Sequence, residues 1–240
     1  MTQPAVYKRV LLKISGEGFC KEGGFGIEAD ELSIVAHECV EVAKMGVQLA
    51  VVVGGGNFIR GAKLEHELHI PRATCDYMGM MATVLNAVAL QETMERLGQP
   101  TRVMSAISVY SVAEPFIRRR AVRHLEKGRV IILAAGTGNP FFTTDTCAAL
   151  RATEIHADVL LKATKVEGIY DSDPKHNTDA RMFREITYEQ VHRDQLRVMD
   201  LTAITLCMER KIPLVVFNMK TPGNIARVVR GEKVGTTIAP

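Results

Sequence analysis

Two rhythms of apolar residues alternate along the chain. Short apolar runs occur at Val10-Leu11-Leu12-Lys13-Ile14, Leu49 to Val53, Thr101 to Met104, Val130 to Ala134, Asp158 to Lys162 and Leu214 to Phe217. Runs such as Leu49 to Val53 show no polar alternation, the pattern of strands buried on both faces, as in a parallel sheet. Between them the apolar positions switch to helical spacing. Leu32, Val35, Ala36, Cys39, Val40 and Ala43 lie at i, i+3, i+4 intervals, and Gly46 supplies a left-handed stop. Further helices are predicted from about Asp76 to Leu97 (closed by Gly98), Glu114 to Lys127 (closed by Gly128), Thr144 to Ile155 and Leu201 to Arg210. A short helix and a strand follow in the tail. Strands separated by helices predict an α/β fold, a three-layer αβα sandwich around a mostly parallel sheet. No linker or repeat divides residues 1–240, which read as one domain, and segments 17–27 and 170–185 are the least regular.

Composition narrows this little. The chain has 240 residues, 47% of them hydrophobic, enough for a real core, and its net charge of +3 is too small to argue for a nucleic-acid or membrane partner. No apolar stretch approaches the roughly 20 residues of a membrane span, and Lys8 and Arg9 interrupt the N-terminus where a signal peptide would be apolar. The five cysteines are widely spaced, which suits reduced, buried thiols in a cytoplasmic protein better than a zinc site or disulfide framework. His66 and His69 read as a surface pair. Arg118, Arg119, Arg120, Arg123 and Lys127 read as a solvated helix face, with a subunit contact or effector site as the alternative.

In open α/β sheets ligands bind beyond the carboxyl ends of strands, and three strand-end turns here have unusual chemistry. Lys13-Ile14-Ser15-Gly16 ends the first strand in a cation, which either snorkels at a sheet edge or meets a phosphate. Gly54-Gly55-Gly56-Asn57 permits close backbone approach and an anion nest, with Arg60 nearby to clamp a phosphate oxygen. Gly136 to Asp145 (GTGNPFFTTD) leads into a helix capped by Thr143 or Thr144. Neither a Rossmann fingerprint nor a Walker loop is present: Lys21 and Ile59 stand where the third glycine belongs, and Gly61 is followed by Ala62.

Together these turns resemble the amino-acid kinase family. Asp76-Tyr77-Met78-Gly79-Met80, GTGNPFFTTD, Leu161 to Val166 with Gly168, Asp173-Pro174 and Val198 to Leu201 are similar to its bacterial uridylate (UMP) kinase branch. The resemblance implies the amino-acid kinase fold and the transfer of the ATP γ-phosphoryl group to UMP. It places Lys13, Ile14, Ser15, Gly16, Gly56, Arg60, Thr164, Tyr170 and Asp173 on ATP. It places Gly55, Asp76, Thr137, Gly138, Asn139, Pro140, Phe141, Phe142, Thr143 and Thr144 on UMP. Mg2+ is expected to arrive with ATP, without a protein cage. The acceptor phosphate needs no general base, so the catalytic task falls to cations. Lys13 and Lys162 are the expected clamp, and Asp145 and Asp200 either orient them or water-bound Mg2+, or cap helices. The resemblance also implies a homohexamer, activation by GTP through Lys21 to Gly26, and inhibition by UTP. Gln91 and Glu95 stand where other members carry basic effector contacts, although Arg102 is kept. The very apolar Met78–Leu90 segment is expected to be buried all round, partly between subunits. The rival readings are a related kinase with another acceptor, or a nucleotide-sensing regulator.

Overall fold

A computed structural model describes residues 4–59, 69–174, 176–196 and 198–239. Among them one sheet of nine strands runs in the order β4-β3-β5-β2-β1-β6-β8-β9-β7. The strands are β1 (Arg9–Ile14), β2 (Gln48–Val53), β3 (Thr101–Ser105), β4 (Glu114–Pro115), β5 (Val130–Ala134), β6 (Val159–Thr164), β7 (Glu185–Thr187), β8 (Leu214–Asn218) and β9 (Thr236–Ala239). Among the named strands only the β8–β9 pairing is antiparallel, and an isolated antiparallel bridge joins Tyr170 and Met182. The helices are α1 (Ala29–Lys44), α2 (Arg72–Arg96), α3 (Arg118–Glu126), α4 (Thr144–Ile155), α5 (Tyr188–Arg193), α6 (Leu201–Glu209) and α7 (Asn224–Val229).

Strand residues alternate between two cores. Val10, Leu12 and Ile14 of β1 and Leu49, Val51 and Val53 of β2 pack with α1, α2 and α7. Leu11, Ala50 and Val52 pack on the opposite side with α3, α4, α5 and α6. Both faces are therefore dry, which is why the strand sequences show no polar alternation. The same alternation fixes the two strand lysines. Lys13 falls on the Leu11 face of β1 and Lys162 on the Leu160 face of β6, so both point toward the α4 layer.

Several boundaries differ from the sequence expectation. Helix α2 begins at Arg72, about one turn before Asp76, because Pro71 stands in extended backbone at its N-cap and its carbonyl accepts the Cys75 N–H. The basic helix begins at Arg118, not Glu114. Glu114 and Pro115 pair with β3 at the sheet edge, where Arg102, Arg120 and His124 surround the Glu114 carboxylate. The irregular stretch after β6 contains β7 and α5, which the apolar pattern did not announce. Within the single chain one stripe of α2 stays uncovered: Met81 and Leu85 are 52% and 55% exposed, with Tyr77 beside them. Among the described residues no helix is long and apolar enough to cross a membrane.

Candidate active site

Lys13 and Lys162 occupy paired register positions on β1 and β6, and α4 begins directly over them. Its N-cap is Thr143, whose hydroxyl accepts the N–H groups of Asp145 and Thr146. That cap sets the first turn and drops the Asp145 carboxylate between the lysines. Asp145 Oδ1 lies 3.0 Å from Lys13 Nζ, and Asp145 Oδ2 accepts a 2.7 Å hydrogen bond from Lys162 Nζ. Side-chain exposures of 10%, 14% and 15% for Lys13, Lys162 and Asp145 put the triad in a largely desolvated pocket. Lys162 also donates to the Val198 carbonyl.

The electrostatics follow from this arrangement. Burial pushes the Asp145 pKa up, but Lys13 and Lys162 more than offset it, and the carboxyl titrates below its ordinary value. Burial pulls Lys162 below the usual lysine range, with Lys13 adding to the effect and Asp145 opposing it. Within the triad two cations face one anion, with Asp200 acting on Lys162 from further off, and fixed cations where water screens poorly are the requirement for receiving a phosphoryl group.

Two cavities border the lysines of the triad, and a third, walled largely by Val191, Leu196, Met199, Leu201 and Ile204, borders Asp145. The first, about 350 Å³, is bordered by Lys13, Ser15 and Gly16, by the Gly54–Gly56 turn, and by Gly136, Thr137, Asn139, Phe142, Thr143 and Thr144. One face of α2 makes its far wall through Arg72, Cys75, Asp76, Gly79, Met80 and Thr83. The second is bordered by Lys162, Thr164, Tyr170, Asp171, Ser172 and Asp173, with Gln195, Leu196 and Val198. Lys13 belongs to one cavity and Lys162 to the other, and Asp145 joins them.

The glycine turn is built by close packing. A Cβ at Gly16 would lie 2.4 Å from the Gly56 nitrogen, one at Gly54 2.7 Å from the Gly16 nitrogen, and one at Gly55 2.7 Å from the Gly79 carbonyl oxygen. A Cβ at Gly56 would meet nothing within 4 Å. Three glycines are thus needed where backbones touch, and Gly56 alone faces open cavity. Behind the turn, Asn57 and Asn86 exchange amide hydrogen bonds of 3.0 and 2.7 Å, and Asn86 donates to the Gly54 carbonyl at 2.8 Å. Both side chains are buried, so Asn57 belongs to the scaffold rather than to a ligand.

The remaining sequence candidates divide. Ile14 is fully buried in the core and offers only its backbone, which accepts the Gly54 N–H. Ser15 caps a 3-10 turn over Gly16–Phe19 and lines the first cavity. Thr164, Tyr170 and Asp173 line the second. Gly138, Pro140 and Phe141 lie outside the first cavity's wall: Gly138 backs onto Ala106, and Phe141 is 71% exposed. Asp76 does not cap α2. Its carboxylate accepts from Arg72 Nε at 2.9 Å and from the Phe141 N–H at 2.8 Å. Asp200 touches neither lysine's amine through a hydrogen bond. It caps α6 through the Ala203 N–H and accepts from the Thr143 and Thr146 hydroxyls, tying two helix starts together. Arg60 and His66 lie outside the described residues. Of the α2 wall the sequence pointed only to Asp76 as a site residue; Met80 and Thr83, which follow it at the i+4 and i+7 spacing of one helix face, were not picked out as such.

Known proteins match this chain over nearly its whole length. Residues 8–218 match the amino acid kinase family. The chloroplastic uridylate kinase PUMPKIN of Arabidopsis thaliana is 54% identical over 98% of this chain and 69% of its own length. The crystal structure of UMP kinase from Bacillus anthracis superposes with a TM-score of 0.95 at 39% identity, covering 97% of this chain and 96% of that one. The structure of UMP kinase from Ureaplasma parvum superposes with a TM-score of 0.91 at 35% identity over the full length of both.

Proposed function

The chain belongs to the amino acid kinase family, and from that footing we propose that it is a UMP kinase, which transfers the γ-phosphoryl group of ATP to UMP and yields ADP and UDP for pyrimidine nucleotide synthesis. One observation carries the assignment: two cavities meet at a buried Lys13–Asp145–Lys162 triad, one cation facing each. We assign UMP to the first cavity, against Gly55, Asp76 and the Thr137–Thr144 turn. ATP takes the second, with its base beside Tyr170 and its sugar toward Thr164 and Asp173, and its phosphates reach past the triad to Lys13, Ser15, Gly16 and Gly56 at the edge of the first cavity.

The acceptor is a phosphate monoester with a second pKa of about 6, so at neutral pH it is mostly dianionic and attacks without a general base. The obstacle is repulsion between two polyanions, and charge on the group in flight. Lys13 and Lys162 neutralise that charge from fixed positions at the ends of buried strands, and Asp145 holds them so that no reorganisation is needed at the moment of transfer. The N–H groups of Gly54, Asp145 and Thr146 are already taken within the protein, so we assign phosphate oxygens to those of Gly55, Gly56 and Thr144, which border the same cavity. Mg2+ would arrive with ATP rather than in a protein cage, and would supply further neutralisation of the phosphate charge beside Lys13 and Lys162. Among the described residues no group of three or more His, Cys, Asp or Glu side chains gathers to hold a metal.

A coupled assay with UMP, CMP and dUMP as acceptors tests the reading. Rapid turnover of UMP alone is the expected result, and equal turnover of CMP overturns the specificity. We further assign the enzyme to the cytoplasm, where five free buried thiols stay reduced, and to a homohexamer that uses the exposed Tyr77, Met81 and Leu85 stripe as a subunit contact. GTP activation and UTP inhibition complete the proposal. Glu95 already holds Arg102 at 2.8 Å, and Gln91 takes the Val103 N–H, so an effector anion must break an existing ion pair. GTP titrated against initial rate should therefore produce a weak response.

A further inference from the structure

The turn that begins the first cavity's polar wall departs from ordinary backbone. Ala135 and Gly136 are consecutive residues at φ +61° and +57°, and Gly138 and Phe141 follow at +81° and +71°. Glycine takes this region freely, whereas alanine does so only when its surroundings hold it there. Ala135 is fully buried, and its N–H donates a 2.7 Å hydrogen bond to Thr83 Oγ1, whose own proton goes to the Met80 carbonyl at 2.6 Å. Thr83 is itself buried and stands on the α2 wall, two turns along from Asp76, which takes the Phe141 N–H. On the other side Arg151, 6% exposed, donates to the Gly136 carbonyl at 3.3 Å. Its guanidinium lies 3.9 Å above the Phe116 ring and pairs with Glu154 at 2.6 Å.

We propose that Thr83 and Arg151 are positioning residues for the acceptor nucleotide, acting by clamping Ala135 and Gly136 in the left-handed conformation that aims Thr137, Asn139 and Thr143 into the cavity. The inference rests on the assignment of UMP to that cavity. Among the described residues Thr83 is the acceptor of the Ala135 N–H, so its hydroxyl decides whether the strained residue stays or relaxes to ordinary backbone. Relaxation at the root of the turn displaces every group beyond it, and displacement on the ångström scale is enough to disturb an aligned substrate.

The experiment measures KM for UMP and for ATP, kcat and the thermal midpoint in five variants. Thr83→Val keeps the shape but removes the acceptor; it should raise KM for UMP by about 10- to 100-fold and leave KM for ATP within about threefold. Thr83→Ser keeps the hydroxyl and should return KM for UMP to near the parent value. The double variant Thr83→Val with Ala135→Gly should recover much of the loss, because glycine needs no clamp to hold a positive φ. That recovery would not occur if Thr83 were only a packing residue. Arg151→Met keeps an apolar stem over Phe116 and loses the bond to Gly136; it should raise KM for UMP selectively and stands in if Thr83→Val does not fold. Asp76→Asn separates the two levels of the proposal. If it raises KM for UMP while Thr83→Val and Arg151→Met leave it unchanged, the clamp is wrong and the cavity assignment survives. If none of them affects UMP, or the parent enzyme does not turn it over, both fall.

Discussion

Lys13 and Lys162 sit opposite one another on neighbouring parallel strands, and the single carboxylate of Asp145 bonds to the amine of one and lies 3.0 Å from the amine of the other. Like charges on adjacent buried strand positions would repel without it, so Asp145 is both a structural counter-ion and the part that fixes the cations for catalysis. Removing one partner from a buried ion pair costs about 3–5 kcal/mol, because the charge left behind has no partner. Asp145→Asn should therefore lower the thermal midpoint and reduce kcat by at least about 100-fold. ATP and UMP should restore part of the stability by returning negative charge to the site. Thermal unfolding with and without ligands, beside steady-state rates, checks this; equal losses of midpoint in both conditions would oppose it.

Lys13→Ala leaves Asp145 paired with Lys162, so the fold should survive while turnover falls by about 100- to 1,000-fold. Circular dichroism and kcat, measured on the same preparation, separate the two effects. A near-normal kcat would remove Lys13 from the clamp.

The pH profile should have two limbs with different owners. On the acid side activity should fall near pH 6, where the acceptor phosphate gains its second proton. Asp145 is not the cause, because its pKa is held below its ordinary 3.8 and it stays ionised through that range. On the alkaline side activity should fall before the ordinary lysine value of 10.5 is reached, as Lys162 loses its proton. Stability behaves differently. A lysine whose folded pKa is lowered resists folding while charged, so its contribution improves as pH rises from its folded toward its unfolded value. The depressed Asp145 contributes stability above the unfolded value, and that stability is lost as pH falls through its folded pKa. Lys162→Arg keeps its charge at every accessible pH, so any activity it retains should lack the alkaline limb.

Gly16→Ala and Gly56→Ala should fail in different ways. The first drives a Cβ to 2.4 Å from the Gly56 nitrogen, a backbone atom that has no room to move, so the protein should lose stability as well as activity. The second meets nothing within 4 Å and should keep its stability to within about 0.5 kcal/mol. Its methyl group projects into the cavity where phosphates pass, so binding and rate should suffer alone. Denaturation curves beside KM values for both nucleotides distinguish them.

Asp200→Ala should cost about 1–2 kcal/mol through loss of the α6 cap, with more from the orphaned Thr146 hydroxyl. Its Mg2+ dependence should match that of the parent enzyme. A large increase in the Mg2+ needed for half-maximal rate would give Asp200 a place beside the metal instead.

Local chemistry made much of this protein legible. Buried parallel strands read as unbroken apolar runs, and the left-handed stops at Gly46, Gly98 and Gly128 closed their helices as expected. The Thr143 cap was likewise visible, because a cap depends on residues a few positions away. The strand-end turns could be picked out as sites because glycines and a lone lysine stand out against apolar strands. What the chain could not reveal locally was the sheet order. Lys13 meets Lys162 only because β1 lies beside β6, and Asp145 reaches both only because α4 covers that face. The edge strand at Glu114–Pro115 and the β7–α5 unit are too short for a period to register, and long-range pairing holds them in place. Thr83, Asn86 and Arg151 read as ordinary helix residues. Tertiary packing alone set their hydroxyl, amide and guanidinium groups against the backbone of remote turns, because a buried N–H or carbonyl must find its partner wherever the folded chain provides one.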